Sequence, residues 1–460
     1  MRPALLGLAA GVAAGAGVAV ASRGPTLVHW PDQVRRAFPV ALGGLVGASV
    51  GLKVGVLASG VRWASGRGPA PVATLPPVLI GGSVLAAAAV AGRIAAGRAI
   101  GKLEQASRDL DPGFAEPPSD PDVSASPGSA VTLPELGREG ARFVGTVTTP
   151  EGIREVTGLD PVASPVRVFV GVDAAATPEA RVALAMAELH RTRAFDRANL
   201  LVMGPAGTGY SNPTPVDVLE LLTRGDCAAV AVGYGLLPSF LSLNKVELAG
   251  RTQELLIEAI TTELAGRATR PRLLLYGESL GAKIQQAAIP GGLADMDRIG
   301  AAAALWVGTP GGVVADAFHA ACASSSYTID RPEQVPDPMP QPRPRVWFLE
   351  HDGDPVVRFR PELLTQRPAW LPTDGTRGRN IPEQMTWKPG ITWAQALVDT
   401  MFATNVKPGD FKSEGHDYRA DLGVAVTVAY DLPADAATAE RLEAYLRAKE
   451  VERARRIDGA

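Results

Sequence analysis

The pattern Gly-x-Ser-x-Gly occurs twice in the 460 residues, at Gly47-Ala48-Ser49-Val50-Gly51 and at Gly277-Glu278-Ser279-Leu280-Gly281. It suits acyl transfer through a nucleophilic serine, because glycines on both sides let the chain reverse sharply and expose the hydroxyl. In a chain with 50 glycines the pattern alone says little, so its context decides. Ser279 follows the apolar run Arg272-Leu273-Leu274-Leu275-Tyr276 and precedes Ala282-Lys283-Ile284-Gln285-Gln286, a good helix former. Strand, sharp turn and helix are what a nucleophile elbow requires, and the helix amino terminus favours negative charge nearby. Ser49 sits inside an apolar run whose glycines recur at every fourth residue, which is a helix-packing pattern.

A serine hydroxyl is a poor nucleophile without a base, and the base needs an orienting acid. Both should follow the serine, acid first. The strand-like Arg345-Val346-Trp347-Phe348-Leu349-Glu350 runs into His351-Asp352-Gly353-Asp354-Pro355-Val356-Val357. Asp354 is preferred to Asp352 as the acid, because the Asp-Pro-Val-Val turn fixes it just past the strand. Of the five histidines, His29 lies in the apolar amino-terminal part, His190 and His319 in helical stretches, and His351 beside the acid. His416, in Ser413-Glu414-Gly415-His416-Asp417-Tyr418, remains as the general base. No clear strand precedes it.

An oxyanion hole needs two backbone amides aimed at one point. Leu280 would give the first, and the loop Pro205-Ala206-Gly207-Thr208-Gly209-Tyr210 the second, from Thr208 or Gly207. Pro205 has no amide hydrogen. The same loop lacks the Lys-Ser/Thr ending of a phosphate-binding loop.

The elements that must position these groups fall into three regions. Residues 1–103 carry three apolar runs, Leu5 to Ala21, Val40 to Gly60 and Leu75 to Ala91, each near the ~20 residues that cross a bilayer. Gly7, Gly11 and Gly15, and Gly43, Gly47, Gly51 and Gly55, stack on single helix faces, as in closely packed membrane helices. A transmembrane helical domain of about three spans is expected there. Residues 104–140 read as a polar linker resting on its neighbours. Residues 141–460 alternate between short apolar runs (166–172, 199–204, 227–234, 272–277, 303–308 and 345–350) and helical stretches, which indicates an α/β catalytic domain. Its sheet should be mostly parallel, covered by helices on both faces, with active groups at the carboxyl ends of the strands.

Composition narrows the function. Hydrophobic residues make up 46% and charged residues 20%, which excludes disorder of the whole chain. A formal charge of −3 offers no surplus to hold a polyanion, so no nucleic acid is expected as a partner. Cys227 and Cys322 permit at most one disulfide and no zinc cluster, and five histidines argue against a multi-histidine metal site. No metal and no cofactor are expected.

Taken together, Gly207-Thr208-Gly209 with Tyr210, Gly277 to Gly281, Asp354 to Val357 and Gly415 to Tyr418 resemble blocks of the α/β-hydrolase superfamily. More narrowly they look like an actinobacterial group in which a multi-helix membrane domain precedes the hydrolase domain. The resemblance covers most of the chain, well after about residue 165 and loosely before it. It implies an α/β-hydrolase fold with Ser279 as nucleophile, Asp354 as acid and His416 as base. Members of that group show four or five membrane spans, against the three counted here, and the resemblance brings no substrate with it.

The expected activity is cleavage of ester or thioester bonds, of acyl or lipid-like substrates, by a membrane-tethered serine hydrolase working through an acyl-enzyme on Ser279. Two alternatives are an acyltransferase with the same triad and a non-catalytic membrane scaffold on a retired hydrolase fold. A metal-dependent hydrolase built on His351 and Asp352 ranks last, for want of further ligands. The Pro-rich stretch between Gly311 and Pro344 is expected as a lid over the acyl pocket. The chain is expected in the cell membrane as a multi-pass protein. Six basic residues (Arg23, Arg35, Arg36, Arg93, Arg98 and Lys102) against three (Arg2, Arg62 and Arg67) put the catalytic domain on the cytoplasmic side.

Overall fold

Strands buried on both faces must be apolar on both faces, and the short runs between the helical stretches have that character. The computed structural model describes residues 3–65, 98, 100–237, 246–403 and 411–459. It divides into two compact units: Leu103–Phe359 with Gly378–Asn380 and Ala403–Ala460, and Met1–Lys102 with Arg360–Arg377 and Ile381–Phe402.

Among the described residues of the larger unit, seven strands form one sheet. They are β1 (Val166–Val170), β2 (Asn199–Gly204), β3 (Cys227–Val232), β4 (Arg272–Glu278), β5 (Ala301–Val307), β6 (Ser326–Ile329) and β7 (Val346–Leu349). All pairs are parallel, in the order β1-β3-β2-β4-β5-β7-β6, with β4 at the centre. The described helices begin with α1 (Pro3–Ala21), α2 (Asp32–Ala64), α3 (Leu133–Val144), α4 (Pro150–Thr157), α5 (Pro178–Arg191), α6 (Pro213–Leu222) and α7 (Val246–Ala265). They continue with α8 (Leu280–Ala288), α9 (Leu293–Ile299), α10 (Val313–Cys322), α11 (Pro355–Arg358), α12 (Ile391–Phe402), α13 (Leu422–Ala429) and α14 (Ala436–Asp458). The helices connecting successive strands return the chain to the same end of the sheet, so every strand points its carboxyl end the same way. This is an α/β-hydrolase fold.

Six of the strands lie where the apolar runs predicted them. The seventh, β6, is an edge strand of sequence Ser-Tyr-Thr-Ile, polar at two of four positions and half-exposed. It lies within the stretch between Gly311 and Pro344 expected as a lid. The crossover helix α10 there leads into β6, β6 occupies the edge beside β7, and the prolines from Pro332 to Pro344 follow in the connection to β7. The position a last strand before His416 would need is therefore already filled.

Residues 104–140 also differ from a linker. Phe114, Val123, Val131, Leu133 and Leu136 are buried in the same core as the strands. Few apolar side chains are needed, because polar ones do the anchoring. The buried Glu188 carboxylate accepts from Ser124 and Ser129 hydroxyls and from the Ala130 amide, and Val123 bridges to Arg167 of β1. Cys227 and Cys322 are both buried and unpaired.

Arg167 is a fully buried cation inside an otherwise apolar strand. It holds Glu220 at 2.6 Å and Asp217 at 2.6 Å on α6, and Asp217 in turn takes Lys449 and Arg453 of α14 at 2.8 Å each. Removing one member of a buried ion cluster strands its partners without solvation. Arg167→Met is therefore expected to lower stability by about 3–5 kcal/mol. Denaturant unfolding checks this, and a loss below ~1 kcal/mol would mean the cluster is solvated.

In the smaller unit, α1 and α2 form an antiparallel pair at glycine contact distance. A Cβ added at Gly7, Gly11 or Gly15 would stand 2.5–2.6 Å from the carbonyl of Gly51, Gly47 or Gly43. The stretch around Ser49 is thus a packing seam, as its spacing predicted. The outer surface is apolar, with Leu8, Val12, Val20, Val40, Leu45, Leu52, Leu57 and Val61 all more than 60% exposed. Among the described residues, one helix, Asp32–Ser59, is long and apolar enough to cross a membrane, and Leu5–Ala21 is a shorter apolar helix. The third expected span, Leu75 to Ala91, lies outside the described residues.

Candidate active site

The elbow is built by Ser279 and by two glycines that nothing larger could replace. Ser279 sits between β4 and α8 at φ +56°, ψ −128°, a region that a residue with a side chain rarely adopts. Such a residue costs on the order of 1–3 kcal/mol and persists only where its surroundings impose it. A Cβ on Gly277 would stand 2.6 Å from the Ala282 backbone, and one on Gly281 only 1.9 Å from the Gly204 carbonyl. The Ser279 amide donates to the Val307 carbonyl of β5 at 2.9 Å, which ties the turn to the neighbouring strand.

Asp354 follows β7 as the cap of α11 and is fully buried. Its carboxylate accepts three donors: the Val356 amide on one oxygen, and the His416 Nδ1 and the Tyr418 hydroxyl on the other, both at 2.6 Å. Because a carboxylate only accepts, the His416 proton sits on Nδ1. In the neutral ring Nε2 then keeps its lone pair, and it is buried and without a hydrogen-bond partner. The imidazole lies against Gly308, where a Cβ would approach its Cε1 to 2.7 Å. Gly308 adjoins Val307, the residue whose carbonyl holds Ser279. Elbow, acid and imidazole thus converge on the carboxyl ends of β4, β5 and β7.

Burial alone would lower the His416 pKa, but the charge and hydrogen bond of Asp354 outweigh it and raise it, with Glu278 adding to the effect. Glu278, just before the serine, has its own pKa raised by burial, partly offset by hydrogen bonds from Asn212 and Tyr276.

The loop expected to complete an oxyanion hole packs beside the elbow. Its turn uses the amides of Ala206 and Gly209, bonded to the Tyr210 and Ala206 carbonyls, and leaves those of Gly207 and Thr208 at the tip. Leu280 is the first residue of α8, so its amide has no carbonyl within the helix to bond.

The other candidates are committed elsewhere. Asp352 pairs with Arg358 at 2.9 Å and accepts from the Arg379 amide. Both ring nitrogens of His351 are bonded, Nδ1 to the Gly415 carbonyl at 2.9 Å and Nε2 to Asp421 at 2.8 Å. That leaves no free donor pair for a metal on His351 and Asp352. Instead His351 braces the loop that carries His416, and Asp421 also takes the Ser413 hydroxyl from the start of that loop. His319 stacks on Phe348 at 3.7 Å and bonds Glu350.

Sequence reasoning missed Tyr418, Gly308 and the His351–Asp421 brace. Tyr418 had a signal, its place two residues after the histidine. Gly308 had one too, as a glycine ending a strand next to the serine strand. The brace had none, since 70 residues separate its partners.

A family model described as alpha/beta-hydrolase family matches residues 166–443, more than half of the chain. No curated protein and no solved structure gives a match.

Proposed function

Because the chain belongs to the alpha/beta-hydrolase family, we propose that it is a membrane-tethered serine hydrolase of ester or thioester bonds in acyl or lipid-like substrates. The observation that carries this is the His416 imidazole, held by Asp354 through Nδ1 with Nε2 unpartnered, packed on Gly308 next to the Val307 carbonyl that holds Ser279 at positive φ. In this reading the Ser279 Oγ attacks the substrate carbonyl carbon while Nε2 takes its proton. Charge on the carbonyl oxygen is met by the amides of Leu280 and of Thr208 or Gly207. His416 then returns the proton to the leaving alcohol or thiol as the bond to it breaks, and an acyl-enzyme remains. Water, deprotonated by the same nitrogen, releases the acid and restores Ser279.

The tether rests on the helix Asp32–Ser59 and on the apolar outer surface it shares with α1. A catalytic group held at a bilayer meets apolar esters at high local concentration, which is the reason for the proposed substrate class.

A fluorophosphonate probe tests the reading. It should modify Ser279, identified by peptide mass spectrometry. No modification, or modification at Ser49, would overturn it.

The raised pKa of His416 sets a pH dependence. A base must be neutral to accept the serine proton, so kcat/KM should fall as pH drops through that pKa. The midpoint of the acid limb should lie above the ordinary histidine value of about 6.5. Glu278→Gln should bring the midpoint down, because it removes a negative charge that favours the imidazolium. A midpoint unmoved by this change would show that Glu278 does not face the titrating group.

A further inference from the structure

Helix α12, Ile-Thr-Trp-Ala-Gln-Ala-Leu-Val-Asp-Thr-Met-Phe, is amphipathic the wrong way round for a water-facing helix. Its buried stripe is Thr392, Gln395, Ala396 and Asp399, spaced i, i+3, i+4 and i+7, and is mostly polar. Leu397 and Met401, one turn apart, are 38% and 47% exposed. Each polar side chain of the buried stripe is hydrogen-bonded. Asp399 accepts from the Leu27 amide at 3.1 Å and from the Trp30 Nε1 at 2.6 Å. Gln395 donates to the Ser22 carbonyl at 3.2 Å, and Thr392 accepts from the Lys388 amide. Lys388 itself donates to the Ala21 carbonyl at 2.9 Å.

All these partners lie in or beside the turn from Ser22 to Pro31 that joins α1 to α2, within the same compact unit. There the apolar surface of the helix pair ends, and the exposed cations Arg23, Arg35 and Arg36 begin. Trp30 is at this level, and Trp370 and Trp387 pack on a small core of Leu27, Leu371, Ile381 and Met385 in the same unit. Tryptophans and cations at the end of an apolar helix mark the boundary between headgroups and acyl chains.

We propose that α12 lies in that boundary, with Leu397 and Met401 inserted among lipid acyl chains and the cations of the turn against lipid phosphates. The bilayer is the occupant favoured here because the exposed residues Leu397 and Met401 are apolar, and the cations and tryptophans of the same unit lie where the apolar surface of α1 and α2 ends. This rests on the membrane-tethered reading given above. It adds a consequence for the site: the segment in the boundary is, in chain order, the one joining the Asp354 loop to the His416 loop.

The test uses the full chain in vesicles of phosphatidylcholine with a minority of phosphatidylglycerol. Met401→Cys is labelled with a polarity-sensitive nitrobenzoxadiazole dye, and Glu254→Cys, on α7 with a side chain 43% exposed, serves as the reference. The expected result is blue-shifted emission at 401, lost when lipids carrying a nitroxide high on the acyl chain are added, and neither effect at 254. Emission at 401 matching that at 254 overturns the proposal. Blue-shifted emission that resists the nitroxide lipids but disappears on dilution of the protein in lipid also overturns it, and assigns the face to a second copy. Extraction of the whole chain by alkaline carbonate would instead fail the tether itself. Fluorophosphonate labelling of the same variant reports separately on the hydrolase reading.

Discussion

Ser279→Ala is expected to lower kcat for a soluble ester by about 10⁶-fold, the scale at which a triad loses its nucleophile. The fold should survive. The strain at φ +56° belongs to the backbone and is the same for alanine, while the Val307 hydrogen bond uses the amide and not the hydroxyl. Turnover of about 10³–10⁴-fold above the uncatalysed rate should remain if the Leu280 and Thr208 or Gly207 amides still stabilise the oxyanion. Ser49→Ala is the matched control, with the same motif and the same substitution. Ser49 is exposed on α2, and the glycines around it face Gly11 and Gly15 of α1. Its replacement should leave hydrolysis unchanged. Equal losses in the two variants, with unchanged circular dichroism, would sink the assignment of Ser279.

The two serines show what a sequence can and cannot reveal. Ser279 was separable from Ser49 because strand-turn-helix is local, written in the dozen residues on either side. The six apolar strands were legible for the same reason, since a strand buried on both faces must declare itself in its own composition. Elements held by distant partners were not. Strand β6 is polar at two positions because an edge strand needs only one neighbour. Residues 104–140 looked unable to bury a face, yet Glu188, far along the chain, accepts three hydrogen bonds from them. The apolar residues of helix α12 gave no hint that its polar ones face inward to the turn between α1 and α2. His416 was found by elimination, without the strand expected before it. Its loop is carried instead by the isolated bridge between Glu414 and Asp417 and by the bond from His351 to Gly415.

Asp354→Asn is expected to cost about 10⁴-fold in kcat, the scale seen when the acid of a triad becomes an amide. The carboxylate accepts three hydrogen bonds, two of them on one oxygen, from His416 Nδ1 and Tyr418. An amide has one oxygen to accept and one nitrogen that only donates. With its oxygen kept on the Val356 amide, its nitrogen confronts both the histidine and the tyrosine, and the imidazole relieves the clash by moving its proton to Nε2. That nitrogen then has no lone pair for the serine proton. Turning the amide over instead would leave the Val356 amide without its partner in a partly buried place and loosen the cap of α11. The two outcomes separate experimentally, since a tautomer change lowers kcat with little loss of stability, whereas a lost cap lowers both. Asp352→Asn removes an ion pair with Arg358 that is partly open to solvent, and should change kcat little. If the Asp352 variant proved the inactive one, the orienting carboxylate would have to be sought on the other side of Gly353, and the His416–Asp354 bond would be structural only.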